Sequence, residues 1–381
     1  MEPRVNPFQY GGVVGPEAFC NRQQELRDLR RAVINGERLF VYSERRLGKT
    51  SLVQQVLAGL PASEFLTVYV DLWATDSPET FVRTTAKAIT QAATTRRDRL
   101  LQTAKSLFHL VVPTVTFDES GEPSIEFSIR HTQAPEPELD DVLSALARAA
   151  QRQKKKVVIV FDEFQRIMEY GNDLVERVVR SRMQMQQDVA CFFLGSRKHL
   201  MQQLFLEASR PLYRSAGHYP LGTIALEHWQ PFIRERFTLA DKSITDERIV
   251  QLCTWTEGHP FYTQHLAHAL WEITPAGGEV TEQRLDEALA LLLRREGNVF
   301  ATRWETFSRM QQRLLRGLVQ QGGNPQPFAT TFIRAHGLGA ASTVQRAVNA
   351  LLASDVLDRE EGRLFVSDRF FALWIRQLNA G

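Results

Sequence analysis

Arg38-Leu39-Phe40-Val41-Tyr42-Ser43-Glu44-Arg45-Arg46-Leu47-Gly48-Lys49-Thr50-Ser51-Leu52 decides how this chain of 381 residues is read. The apolar run Arg38–Tyr42 predicts a short buried strand, Ser43–Gly48 a loop, and Lys49–Leu57 a helix. The loop fits the phosphate-binding pattern GxxxxGK[ST] in spacing and context, except that Ser43 stands where the first Gly is expected. Backbone N–H groups at the start of a helix face phosphate oxygens, and Gly48 permits their close approach. Lys49 supplies a point charge for the β- and γ-phosphates, and the Thr50 hydroxyl is a ligand for Mg²⁺. Ser43 carries a Cβ, so a left-handed backbone there would be strained. A strand–turn–helix with a coincidental GKT is the bland alternative, and the flanking elements argue against it.

Working outward, Val157-Val158-Ile159-Val160-Phe161-Asp162-Glu163 is an apolar strand ending in two carboxylates. At the carboxyl end of a parallel strand both sit where open α/β sheets bind ligands. There Asp162 suits Mg²⁺ and Glu163 suits a general base for water. The alternative is a cap and dipole partner for a helix starting near Phe164. Val189–Leu194 is a further apolar strand, running into Gly195-Ser196. Ser196 can lie between Glu163 and a γ-phosphate, or mark an ordinary turn.

Phe65–Leu72 predicts another strand, and helical periodicity covers the region from Glu25 to Ile34, Ser77–Leu107 and Leu139–Gln153. Strands that are continuous apolar runs alternating with helices predict a parallel sheet buried on both faces. VVPTVTF and SIEFSIR alternate around Asp118-Glu119-Ser120-Gly121-Glu122-Pro123, which predicts an inserted β-hairpin at about 110–131. Beyond about residue 235 the pattern turns helical, with helices over Ile249–Trp271 and Glu282–Phe300. The last stretch reads as helices over Met310–Gln320, Ala329–Ala335 and Ala341–Ala353, then a two-strand wing over Leu357-Asp358-Arg359 and Leu364-Phe365-Val366. That is a winged-helix pattern.

Composition narrows the function classes. With 46 basic and 44 acidic residues the chain has no global polyanion-binding charge. No run of 18 uncharged apolar residues exists, which excludes a membrane-spanning helix and leaves no membrane partner expected. Cys20, Cys191 and Cys253 are far apart, so a Cys-based zinc site is not expected, and a sparse odd count fits a reducing compartment. The N-terminal residues show no apolar signal segment, so the expectation is cytoplasmic. His265 and His268 share a helix face, but no third ligand completes a metal site. Lys154-Lys155-Lys156 reads as a solvated loop.

Together these features resemble AAA+ ATPases of the origin-recognition-like and STAND branch, in particular the archaeal-type ATPase family. The motifs that carry the resemblance are Asn6-Pro7-Phe8, Phe19-Cys20-Asn21-Arg22-Gln23-Gln24-Glu25-Leu26, Arg45-Arg46-Leu47-Gly48-Lys49-Thr50-Ser51-Leu52, Pro211-Leu212-Tyr213, Gly258-His259-Pro260, and Ser367-Asp368 with Phe371 and Trp374. They occur in order over nearly the whole chain. The resemblance implies an α/β fold, with a nucleotide-binding domain over 1–230, a helical lid over 231–303 and a winged helix over 304–381. It implies ATP and Mg²⁺ as cofactors, with nucleotide contacts from Phe19, Arg22, Arg45, Arg46, Leu47, Gly48, Lys49, Thr50, Ser51 and Pro260. Thr50 and Asp162 would hold the metal; Lys49, Glu163, Ser196 and Arg214 would serve hydrolysis, Arg214 as an arginine finger. Phe261 and Tyr262 stand where origin-recognition relatives offer a second sensor Arg, which leans toward the STAND side. The reading is an ATPase driving a conformational or assembly switch, with a nucleotide-gated DNA-binding module as its alternative. Partners left open are a second copy of the chain, another protein, or duplex DNA. Residues 306–381 carry nine Arg, no Lys and five acidic residues; Ser342, Gln345, Arg346 and Asn349 share a helix face, and Arg359 and Arg363 lie on the wing.

Overall fold

The computed structural model describes residues 5–94, 99–117, 123–129, 135–186, 188–360 and 362–378. Residues 22–45 and 49–222 form one compact unit; residues 1–21, 46–48 and 223–381 form the other.

The first unit is built on a five-stranded parallel sheet. Its strands are β1 (Arg38–Tyr42), β2 (Phe65–Asp71), β5 (Lys156–Asp162), β6 (Val189–Gly195) and β7 (Gly217–Pro220), in the order β2-β5-β6-β1-β7. Every residue of β6, and all of β5 after Lys156, is buried. Helices α1 (Gln23–Ile34) and α2 (Lys49–Ala58) precede and follow β1, and Val157, Ile159 and Phe161 join the core formed with α3 (Pro78–Ala93), α5 (Glu136–Gln153) and α6 (Leu174–Met185). The opposite set, Val158 and Val160, is equally buried. Burial on both faces is why these strands read as unbroken apolar runs. Aromatic rings pack within this core: Phe40 stacks on Phe205 at 4.6 Å, Phe161 on Phe193 at 5.9 Å, and Phe164 lies tilted against Phe193 at 4.5 Å between centroids.

The expected hairpin is present, with β3 (Val112–Phe117) antiparallel to β4 (Pro123–Ser128) and Phe117 opposite Pro123. Its turn residues Asp118 to Glu122, and Arg130 and His131, lie outside the described residues. Pro123 therefore belongs to the strand and not to the turn. The helical stretch expected over Ser77–Leu107 holds two helices among the described residues, α3 and α4 (Leu100–Leu107). Helix α7 (Lys198–Leu206), whose buried Met201, Leu204 and Phe205 recur at helical spacing, and strand β7 were not expected from the sequence; β7 has only four mostly exposed residues and ends in Pro220, which an edge strand tolerates.

In the second unit, α8 (Leu226–Thr238), α9 (Asp246–Thr256), α10 (Pro260–Ile273) and α11 (Glu282–Glu305) are followed by α12 (Arg309–Gln321), α13 (Thr330–Ala335) and α14 (Ala341–Ala353). The wing, β8 (Leu357–Glu360) and β9 (Arg363–Val366), comes next, and α15 (Arg369–Gln377) closes the chain's described part. Glu361, expected in the wing turn, is outside the described residues. Asp368 caps α15 by accepting from the Phe371 N–H at 3.0 Å. One continuous core runs from Trp229 through Leu292 and Phe300 to Phe371 and Ile375, so α8–α11 and the winged helix share their buried surface. Among the described residues no helix is long and apolar enough to cross a membrane.

The helix expected over Ile249–Trp271 is broken into α9 and α10. Glu257 (φ 52°) and Gly258 (φ 64°) are both left-handed, and Pro260 opens α10. The Gly258 carbonyl accepts from the Ile224 N–H and from the Trp229 indole N–H, each at 3.1 Å. A Cβ on Gly258 would stand 2.4 Å from the Ile224 carbonyl oxygen. Gly258→Ala should therefore lower stability by about 2–4 kcal/mol, combining left-handed strain with overpacking. Gly297→Ala, in α11 with open space around it, should instead add about 0.5–1 kcal/mol. Urea-unfolding midpoints of the two variants check both signs.

Candidate nucleotide site

Pairing of β5 with β6 and of β6 with β1 sets three carboxyl ends side by side, and each runs into a chemically active residue. Tyr42 lies opposite Gly195 in the register, so Ser43 and Ser196 leave the sheet at the same level.

The loop after β1 takes its left-handed steps at Arg46 (φ 61°) and Gly48 (φ 86°). Ser43 is not left-handed, so its Cβ brings no strain there. Its hydroxyl instead accepts from the Lys49 ammonium at 2.7 Å, and the Glu44 carbonyl accepts from the same ammonium at 2.9 Å. Burial draws the Lys49 pKa down to about 8, against the raising effect of Glu163, Asp162 and Glu44. Ser51 and Leu47 are buried, while Arg45 and Arg46 are exposed. The Arg46 guanidinium lies 4.4 Å over the Phe261 ring.

Asp162 ends β5, and Glu163 follows it in a left-handed conformation (φ 54°, ψ 39°). The Glu163 N–H donates to Asp162 Oδ1 at 2.8 Å. Asp162 Oδ2 accepts from the Thr50 hydroxyl at 2.6 Å and also from the Tyr69 hydroxyl. Burial, and then the Asp162 charge, push the Tyr69 phenol well up, so it stays protonated and remains a donor. Glu163 Oε2 accepts from the Ser196 hydroxyl at 2.9 Å and from the Gln165 side-chain amide. No side-chain cap joins Glu163 to the 3₁₀ turn that follows, Phe164–Tyr170, which sets aside the cap alternative for this residue. Lys49, Thr50, Asp162, Glu163 and Ser196 are thus brought together in one unit. Tyr69 and Gln165 belong to the same cluster, and sequence reading missed both. Tyr69 reaches the cluster through the sheet, where it pairs with Val160 of β5, a register that its own stretch of sequence does not reveal.

The remaining candidates are placed as follows. Arg22 is buried and left-handed; its guanidinium donates to Glu25 at 2.8 Å and to the Gly222 carbonyl at 2.6 Å. Phe19 and Pro260 belong to the other unit, Phe19 partly buried and Pro260 at the first position of α10. The two arginines around Pro211-Leu212-Tyr213 have separate fates. Arg210 is paired with buried Glu176, whose carboxyl is pushed up to about 7 by burial although Arg210 opposes the shift. Arg214 is exposed, left-handed, 5.2 Å from the Tyr213 ring, and in no ion pair among the described residues. His265 stacks on Tyr10 at 3.8 Å between ring centroids. On the winged helix, Ser342, Gln345, Arg346, Asn349 and Arg359 are exposed. Arg363, also on the wing, pairs with Glu257 at 2.9 Å.

A family model described as "ATPase domain predominantly from Archaea" matches residues 19–266, and one described as "Probable winged helix domain" matches residues 298–377. No curated protein sequence matches the chain. Among solved structures, the Walker-type ATPase PABY2304 of Pyrococcus abyssi is similar at 16% identity, over 95% of this chain and 97% of that one, with a TM-score of 0.63. The ORC2 protein of Aeropyrum pernix, in its ADPNP–ADP complexes, is similar at 12% identity over 94% and 95%, with a TM-score of 0.50. These two likenesses concern the fold. The first family match covers most of the sequence and contains the whole cluster around Asp162 and Glu163. The chain belongs to the family of ATPase domains found predominantly in Archaea: it is an AAA+ protein, a P-loop ATPase that binds nucleotide and hydrolyses ATP.

Proposed function

We propose that this ATPase uses MgATP binding and hydrolysis to drive a conformational or assembly switch of the STAND type. The observation that carries the reading is the convergence of Lys49, Thr50, Asp162, Glu163 and Ser196 at three adjacent strand ends. In this reading residues 1–230 carry the nucleotide chemistry, 231–303 form a lid and 304–381 a winged helix, in a cytoplasmic protein.

Lys49 places its charge on the β- and γ-phosphates, with the loop backbone of Arg45–Ser51 around them. Arg22 serves the base and ribose by fixing the backbone through Glu25 and Gly222. The donor set fits Mg²⁺: a hydroxyl and a carboxylate oxygen 2.6 Å apart are hard ligands of the kind that cation takes. Thr50 and Asp162 would hold it, and when bound it neutralises charge developing on the phosphoryl oxygens. Glu163 polarises the attacking water, and Ser196 orients the Glu163 carboxylate. Arg214, exposed and free of ion pairs among the described residues, serves as a finger for a neighbouring copy.

A second reading, a nucleotide-gated module that binds duplex DNA, rests on the exposed face of α14. Gln345 and Asn349 are hydrogen-bonded to each other at 2.8 Å, and Arg346 stands exposed beside them. Such a face suits phosphates and base edges.

Lys49→Ala should abolish nucleotide binding, read by titration with a fluorescent ATP analogue. Glu163→Gln should keep that binding and slow steady-state hydrolysis by at least about 100-fold; unchanged turnover would remove Glu163 from the mechanism. If Arg214 acts on a neighbouring copy, turnover per chain rises with protein concentration, and Arg214→Ala loses turnover while keeping nucleotide affinity. A monomer in sedimentation with concentration-independent turnover would count against it. For the second reading, Arg346→Ala/Arg359→Ala should weaken duplex binding and flatten its salt dependence by a slope of about 1–2. Equal affinity at every salt concentration would point to a protein partner instead.

A further inference from the structure

We infer that Gln165 is a positioning residue for ATP hydrolysis, holding the Glu163 carboxylate in the orientation in which it meets the attacking water; this rests on the reading of Glu163 as the water-polarising group. Gln165 is 2% exposed and lies in the 3₁₀ turn after β5, between buried Phe164 and Ile167. Its Nε2 donates to Glu163 Oε2 and approaches the Ser196 hydroxyl at 3.5 Å, while that hydroxyl donates to the same carboxylate oxygen at 2.9 Å. The three side chains form a closed triangle with the carboxylate at its apex.

The other half of the amide shows that this arrangement is imposed. Gln165 Oε1 is buried without a hydrogen-bond partner. Turning the amide over would not relieve this: it would set Oε1 against the Glu163 carboxylate, oxygen against oxygen. A buried amide with an unpaired oxygen is costly, and a Leu would fill the space without that cost. The fold also makes room for the residue. A Cβ on Gly195 would stand 2.7 Å from Gln165 Oε1 and 2.2 Å from Met201 Cγ, so the Gly before Ser196 lets Gln165 and Met201 close on the end of β6. The left-handed backbone at Glu163 turns its side chain out of the strand, and the Glu163 carbonyl accepts from the Arg166 N–H at 2.9 Å. Backbone and amide together leave that carboxylate little rotamer freedom, which is what a group aimed at one water needs.

The experiment is a double-mutant cycle on the full chain with MgATP. Gln165→Leu should lower kcat by about 10-fold or more, as removal of an orienting partner does, with affinity for a fluorescent ATP analogue within about twofold of wild type. In the Glu163→Gln background the same substitution should change turnover by less than about twofold, because its effect passes through the carboxylate that is already gone. Where Gln165→Leu fails to fold, Gln165→Met, unbranched and without a donor, takes its place. Equal slowing in both backgrounds means that Gln165 serves packing alone and overturns the inference. Full turnover in Gln165→Leu beside a slow Glu163→Gln overturns it too and leaves the reading of Glu163 standing. Wild-type turnover in Glu163→Gln removes both.

Discussion

The site depends on one backbone choice, the left-handed conformation of Glu163. Consecutive residues of a strand point to opposite faces, so Asp162 and Glu163 in an unbroken strand would part company. A non-glycine residue enters the left-handed region at a cost of roughly 1–2 kcal/mol. Here that cost is offset by the bond from the Glu163 N–H to Asp162 Oδ1 and by the pairing of both carboxylates. Asp162 turns to Thr50 and Tyr69, and Glu163 to Ser196 and Gln165. Two adjacent carboxylates thereby acquire separate sets of donors, so their charges are met by different partners.

What holds that turn in place is the order of the strands. β6 lies between β1 and β5, so the phosphate loop and the acidic pair flank the Gly195-Ser196 end. The aromatic side chains of β1 and β6 pack with Phe164 and Phe205, so the strands that carry these ends and the turn after β5 share one packed core. Catalytic groups on the ends of rigid strands keep their spacing better than groups on free loops.

Much of this was legible in the sequence because the signals were strong and local. The runs Arg38–Tyr42, Lys156–Phe161 and Val189–Leu194 are strands because they are apolar on both faces, and the polar residues that end them are the cluster. The α9–α10 break was foreshadowed by Gly258-His259-Pro260 but hidden under a helical periodicity that continues on both sides. Tyr69 and Gln165 were not legible for a different reason. Nothing in their own neighbourhood distinguishes a strand tyrosine or a turn glutamine, and their roles arise from partners 93 and 2 residues away that only the sheet and the left-handed turn bring within reach. The pairing of Arg363 with Glu257 was not legible either, because the two lie 106 residues apart and meet only in the folded unit.

The shared core of the second unit bears on how this protein could have been assembled in evolution. Helix α11 runs without interruption from Glu282 to Glu305, and its Phe300 ring lies 5.4 Å from Phe371 of α15. Trp304 meets both Phe371 and Trp374, and Glu257 is bridged by Arg363 and Arg369. The C-terminal module is therefore no interchangeable cassette. A recombination that exchanged it at the helix would deliver a partner lacking the matching rings, so the helices and the module are expected to be inherited as one piece.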